Sequence, residues 1–431
     1  MKSRILIAGS FLALVGMLFW PAQPALTQRL GGRGTYHVPE SSIERSGDNG
    51  VRAHTNYLFL LPNATTQVTT PQGLSPDTLR SIYNLPLSGP NSGLGVIAVV
   101  DAYNYPTATS DFNTFSTEFG LPTASTAAAN GNPTFRVLYA SGKKPAGNSS
   151  WNLEAALDIE WAHAMAPDAQ IILVEANSSS YLDLFTAVKV AGEAVACGGK
   201  SITCSGGTGE GEVSMSWGGS EFIIETIFDS FFNQSTVVYV AAAGDTGGEV
   251  IYPSASPYVI SAGGTTLQFS SAPQSASTFT GEIGWSDGGG GPSAYESVPS
   301  YQSTIGGISA LVGSKRGTPD VSFDADPNSG VSVYDSTPYE GMSGWWVVGG
   351  TSVSAQALAG IFNAAGHFYG NSEHSTIYSI YASTPTSYYG TSSYMSGDFR
   401  DIISGTAGKY SAGLGWDFVT GLGSPLTYTG K

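Results

Sequence analysis

The strongest constraint on the fold is an alternation. The runs LGVIAVVDAY from Leu94, FRVLYA from Phe135, QIILVEA from Gln170, EVSMSWGG from Glu212 and STVVYVAAAGD from Ser235 are apolar and rich in β-branched residues. Between them lie TSDFNTFSTEFGL, SSWNLEAALDIEWAHAMAPDA, YLDLFTAVKVAGEAVA and EFIIETIFDSFF, which carry helical spacing. Continuously apolar strands are buried on both faces. Joined through helices, they read as βαβ units and a mostly parallel sheet covered on both sides. Such sheets bind ligands beyond the carboxyl ends of their strands, where Asp101, Trp217 and Asp245 fall.

Acids outnumber bases 33 to 17, for a formal charge of -16. Nucleic-acid binding needs a basic footprint, so it is excluded. A chain with few bases also suits an acid medium, where protonated carboxylates would otherwise leave a large positive charge. Lys2 and Arg4 precede an apolar run from Ile5 to Ala22, with small residues at Ala22 and Ala25. This is the layout of a secretory signal peptide over residues 1–27, against the alternative of a retained anchor. The expectation is a secreted, extracellular or periplasmic protein with no membrane contact after cleavage. Cys197 and Cys204 are the two cysteines, and outside the cell they are expected to pair. Residues 28–72 are Gly-, Ser- and Thr-rich and read as a short prosegment or N-terminal arm. Residues 73–431 read as one continuously folded domain.

Three places carry possible chemistry. The first is SSWNLEAALDIEWAHAMAPDA, read as an amphipathic helix ending at Pro167. At about 100° per residue, positions four apart share a face, so Glu154 and Asp158 are neighbours and His163 points the other way. A solvated acidic face is the ordinary reading, but Leu153, Ala155, Ala156, Leu157 and Ile159 surround the pair. Two carboxyls held close raise one pKa, which suits general acid–base work in acid. The second place is GGTSVSA, where Ser352 follows two glycines at a helix start. It is either an N-cap or a nucleophile beside free N–H groups. The third is VAAAGDTGG, where Asp245 is either a turn residue or, protonated, a donor to an oxyanion. None of the five histidines, His37, His54, His163, His367 and His374, lies in a convincing base context. Glu154 is therefore the best available base for Ser352.

The residues quoted so far resemble the sedolisins, serine-carboxyl peptidases related to the subtilisins. The matching pieces run in the family's order: TLRSIYNLP, EAALDIE, VSMSWGGSE, AAAGDTGG with YPSASPYVISAGGTTL, PDVSFDADPNSGVSVY, GGTSVSA, and RDI with AGLGWDFVTGLGSP. The resemblance implies a subtilisin-like, doubly wound α/β fold with a mostly parallel seven-stranded sheet. It implies Ser352 as nucleophile, Glu154 as base, Asp158 as the carboxyl that orients it, and Asp245 as oxyanion donor with the Ser352 N–H. Trp217 would join the network behind Asp158, and Gly218 and Gly219 would present backbone to a peptide added as a strand. The tail would hold one Ca2+ through Asp401 and Asp417 and the carbonyls of Ile402, Gly413 and Gly415. A glycine-rich loop with two surface acids is the plainer reading of that tail.

The expected function is an acid-active, monomeric endopeptidase acting on protein or peptide substrates through an acyl-enzyme. The chain departs from the family in its short prosegment, in Gln356 where related proteases commonly have Pro, and in Asp101 at the end of the first core strand. Asp101 either extends the carboxylate network or bonds a turn. The rival readings are an inactive peptide-binding or adhesion protein of the same fold, a conventional triad of Asp101, His163 and Ser352, and a glycosidase using Glu154 and Asp158.

Overall fold

The computed structural model describes residues 27–30, 34–61, 67–86, 95–200, 204, 206–366, 368–383 and 398–430. All of the signal-peptide segment 1–27 except Thr27 lies outside these residues. Among the described residues, no helix is long and apolar enough to cross a membrane.

The central sheet comprises β1 (Val96–Ala102), β2 (Phe135–Tyr139), β3 (Gln170–Ala176), β4 (Gly211–Met215), β5 (Val237–Ala242), β6 (Val259–Phe269), β7 (Phe279–Gly284) and β8 (Val321–Asp324). Its order is β7-β6-β5-β4-β1-β3-β2, with β8 also on β6. Every pairing is parallel except that of β6 with β7. Among the described residues the sheet therefore has eight strands rather than the seven expected. The antiparallel strand is the return of a hairpin, in the stretch from about Thr266 to Ser300 whose Ser, Gly and Thr content reads as surface loops and hairpins. EVSMSWGG breaks at Ser216 into β4 and a short strand, Trp217–Ser220, which lies between Ile251–Tyr252 and His54–Thr55 in a three-stranded sheet.

Side-chain alternation splits the core into two layers. On β1, Ile97 and Val99 pack with helices α1 (Ser149–Met165) and α3 (Thr351–Ala365), while Val96, Ala98 and Val100 pack with α2 (Tyr181–Ala196) on the opposite face. Asp101 follows the parity of Ile97 and Val99, so it points toward α1. The strand order turns at β1, whose neighbours β3 and β4 lead to opposite ends of the sheet.

Asn148 caps α1 by accepting from the N–H groups of Ser150 and Trp151. Every residue from Ser150 to Met165 is buried. The helix is thus enclosed on all sides, not amphipathic. The sheet, α3, the helix Ala108–Glu118 and the strand Val331–Tyr339 all pack against it. Its acids are interior groups, which makes their partners a matter of energy.

A second sheet pairs Gly34–His37 with Leu58–Leu60, and Leu58–Leu60 with Met342–Gly349, itself paired with Val331–Tyr339. Where it is described, the stretch 28–72 is built into the body, with Tyr36, Tyr57 and Phe59 buried. Cys197 and Cys204 form a disulfide beyond the end of α2.

Candidate active site

Three carboxyl groups meet between β1 and α1. Glu154, Asp158 and Asp101 are at most 1% exposed. No ion pair reaches any of them among the described residues. Asp158 is held by neutral donors: Ser216 Oγ gives to Oδ1 at 2.9 Å, and Gln356 Nε2 gives to Oδ2 at 2.8 Å. Gln356 Nε2 also donates to Ser216 Oγ at 2.9 Å, closing a small ring. Neither oxygen of Asp101 has a hydrogen-bond partner among the described residues.

Burial comes first in raising all three groups well above the ordinary carboxyl range. The charge of Asp101 comes second for Glu154 and for Asp158. The hydroxyls of Ser352 and Ser216 pull Glu154 back down. Among the described residues no hydrogen bond of regular geometry reaches either Glu154 oxygen, so this support comes from proximity. A cluster of this kind keeps protons at pH values where exposed carboxyls have lost them.

Ser352 stands on the second residue of α3. Gly350, with φ 113°, is the N-cap, which removes the N-cap reading for Ser352. Ser352 Oγ donates to the Ser216 carbonyl at 3.3 Å, and its N–H donates to the Asn56 carbonyl at 3.0 Å. Asp245, after β5, accepts from the Thr351 N–H and hydroxyl through Oδ1, each at 2.8 Å. Although Asp245 is partly exposed as a residue, its Oδ2 is enclosed and has no hydrogen-bond partner among the described residues. Burial pushes this carboxyl up to about 8. At lower pH it is a neutral acid with a proton to donate.

Trp217 is buried, but its indole N–H goes to the Val100 carbonyl at 2.8 Å, next to Asp101, and not to Asp158. Gly218 pairs with His54, and Gly219 with Tyr252 on the other edge. A Cβ on Gly218 would lie 2.9 Å from the Tyr252 carbonyl oxygen, so the strand must stay bare there.

In the tail, Asp417 Oδ1 accepts from the N–H groups of Val419 and Thr420, and Oδ2 accepts from that of Gly413 at 2.8 Å. Asp401 accepts from the Gly415 N–H at 3.1 Å. Burial, with the charge of Asp417, pushes Asp401 up to about 6. Burial also raises Asp417. Among the described residues, no three His, Cys, Asp or Glu side chains gather as a metal site. Backbone carbonyls, such as those of Ile402, Gly413 and Gly415, have to complete any coordination. Two partly buried acids on a glycine loop of oxygen donors fit a hard cation of the Ca2+ type.

His163 lies in the core away from the cluster. Its Nε2 sits 2.9 Å from the Pro122 carbonyl and its ring 4.6 Å from that of Phe112. Burial pushes it down to about 4. It reaches neither Ser352 nor Asp101, so the His163 triad is excluded. Sequence reasoning missed Ser216 and the part played by Gln356. The signal available for Gln356 was its place one turn after Ser352, on the same helical face.

No family model matches the chain. Kumamolisin from Bacillus sp. (strain MN-32) is 31% identical over 300 residues, 63% of this chain and 49% of that protein. Sedolisin from Pseudomonas sp. (strain 101) is 33% identical over 192 residues, 41% of this chain and 28% of its own length. The match thus spans half or less of each of these relatives. In structure, the Pseudomonas sedolisin complexed with two molecules of pseudo-iodotyrostatin superposes with a TM-score of 0.63. That comparison covers 83% of this chain and 96% of the sedolisin at 23% identity, which shows a shared fold. In sequence and in fold the chain is a relative of the sedolisins.

Proposed function

We propose that the chain is an acid-active serine endopeptidase that cuts peptide bonds through an acyl-enzyme. The observation that carries the reading is the setting of Ser352. A hydroxyl beside a positive-φ turn stands next to a buried carboxyl cluster that, among the described residues, no ion pair reaches, and His163 is bonded elsewhere. Glu154 takes the hydroxyl proton as Oγ attacks the scissile carbonyl. Asp158, fixed by Ser216 and Gln356, orients Glu154, and Asp101 shares the cluster's protons. The oxyanion rests on the Ser352 N–H and the protonated Asp245, donors that act most strongly in an enclosed site. Glu154 then returns the proton to the leaving amine, and water hydrolyses the ester. An extended peptide pairs with Gly218 by taking the strand position that His54–Thr55 holds beside it.

The Asp401–Asp417 loop would hold one Ca2+, whose charge offsets the two acids and ties down the chain end. The signal segment makes the enzyme a secreted one, and its substrates are proteins and peptides. Replacing Ser352 by Ala should lower cleavage of a denatured protein at about pH 4 by about 10⁶-fold while the fold persists. Full activity in that variant refutes the assignment.

A further inference from the structure

The segment beside the nucleophile marks where a scissile carbonyl would sit. His54–Thr55 pairs antiparallel with Trp217–Ser220, Thr55 opposite Trp217 and His54 opposite Gly218. The Asn56 N–H donates to the Ser216 carbonyl at 3.1 Å, and the Asn56 carbonyl accepts from the Ser352 N–H at 3.0 Å. A substrate in this register therefore puts its acyl-side residue at the position of Asn56. Along its other side, Trp217–Ser220 pairs Gly219 with Tyr252 and Ser220 with Ile251. Side chains directly opposite share a face, and so do those two apart along a strand. His54, Asn56, Gly218, Ser220 and Ile251 thus share one face of this small sheet. Trp217 and Tyr252 take the other, in the core.

On that face two side chains are missing, and one fills the space they leave. A Cβ on Gly218 would lie 2.6 Å from Ile251 Cδ1. A Cβ on Gly244, the residue before Asp245, would lie 3.3 Å from both Ile251 Cδ1 and Ile251 Cγ2. Gly244 has φ 106° and donates its N–H to Thr351 Oγ1 at 3.0 Å, which fixes its backbone beside the Ser352 turn. Two bare stretches of backbone, one from each side of the cleft, therefore meet the same branched side chain. Ile251 is only half-buried, unlike Tyr252 after it. The short Asn56 side chain turns its amide back onto the Ser216 carbonyl at 3.1 Å.

We propose that Ile251 sets the acyl-side specificity: it floors a shallow slot between Gly218 and Gly244, so that bonds after short side chains are cut and bonds after aromatic ones are cut poorly. This rests on the peptidase reading above. Gly218 and Gly244 supply walls of peptide backbone, with no side chain to discriminate. The depth of the slot is then decided by Ile251. An alanine methyl ends above it. A phenylalanine ring has to displace Ile251 Cδ1, which already lies against Gly218. The ring enters only if the substrate backbone lifts, and that carries the scissile carbonyl away from Ser352. Such a misplacement lowers the rate as well as the binding. A single methylene too many or too few in an apolar pocket changes kcat/KM by about 10–200-fold.

The test uses the full chain at about pH 4 with internally quenched peptides that differ only in the acyl-side residue, Ala, Asn or Phe. Mass spectrometry locates the cleaved bond, and circular dichroism checks folding. Wild type is expected to cut after Ala and Asn with kcat/KM at least about tenfold above that after Phe. In Ile251→Ala the Ala-to-Phe ratio should fall by at least about tenfold, with Ile251→Val in between. A general loss of folding or catalysis lowers all three peptides alike and leaves that ratio where it was. Wild type cutting after Phe as fast as after Ala overturns the inference and leaves the peptidase reading standing. So does an unchanged ratio in Ile251→Ala, or in Ile251→Val if the alanine variant does not fold. A folded wild-type chain that cuts none of the peptides overturns the peptidase reading, and this inference with it.

Discussion

Two buried acidic regions of this molecule are built from the same side chains and behave in opposite ways. Around Asp320, the carboxyl is met by the Arg316 guanidinium, the Tyr378 hydroxyl at 2.7 Å and the Ser261 N–H at 2.8 Å, with His374 at 3.8 Å. Around Glu154, Asp158 and Asp101 the donors are Ser216 and Gln356, which carry no charge. The Arg316 guanidinium gives the first region its counter-charge. Only protons can neutralise the second. Burial of a carboxylate without a counter-charge is costly, so the group holds its proton instead. Identical residue types thus become an anchor in one place and an adjustable acid–base group in the other.

The largest break in this contrast comes from removing the cation. Arg316→Leu leaves Asp320 as a buried, uncompensated charge and should cost about 3–5 kcal/mol of stability, read by denaturant unfolding at neutral pH. Loss of less than about 1 kcal/mol would mean that the pair is not the anchor described. Next comes Asp245→Ala, which removes the donor and should lower kcat by about 10²–10³-fold with little change in KM. A normal kcat would remove Asp245 from the reaction.

A smaller effect is expected at Gln356. Gln356→Met keeps the volume but takes away the amide that fixes Asp158 and Ser216. We expect a loss of about tenfold in kcat/KM and a displaced acid limb of the pH profile, partly recovered by Gln356→Asn. Equal profiles for Gln356→Met and wild type would confine the amide to packing.

The smallest effect is on thermal stability. Burial raises Asp335 to about 7, Glu296 to about 8 and Glu225 to about 9, with Asp245 at about 8. An acid with a raised folded-state pKa gives stability that is full below its unfolded value. That stability is lost as pH rises toward the folded value. Tm should therefore fall by at least about 4 °C between about pH 5 and about pH 8. A Tm that climbs over this window would contradict burial as the force that raises these acids. The chelator EGTA should lower Tm further at a fixed pH if the Asp401–Asp417 loop holds Ca2+.

Much of this was legible in the sequence because it rests on period alone. The strand runs, the shared face of Glu154 and Asp158, and the opposite phase of His163 all follow from fixed rotations per residue. The all-round burial of α1 did not follow, because a helix enclosed by four elements carries no single apolar stripe. Gln356 read as a minor exchange for Pro, since its meaning comes from α3 packing across α1. The arm 34–61 read as weakly patterned because its order comes from partners distant in sequence, Trp217–Ser220 and Met342–Gly349. Pairing at such separation leaves no local mark.

The most direct test of a hydroxyl activated by carboxyls is the pH dependence of kcat/KM on an internally quenched peptide, from about pH 3 to about pH 9, using acid-pretreated protein. The account predicts a maximum in acid. The low-pH limb marks the loss of the cluster's last ionised carboxyl. Activity falls off by the time pH passes about 8, where Asp245 gives up its proton. A maximum at about pH 8 or above, dependent on Ser352, would mean that some other base serves the nucleophile and would contradict the account.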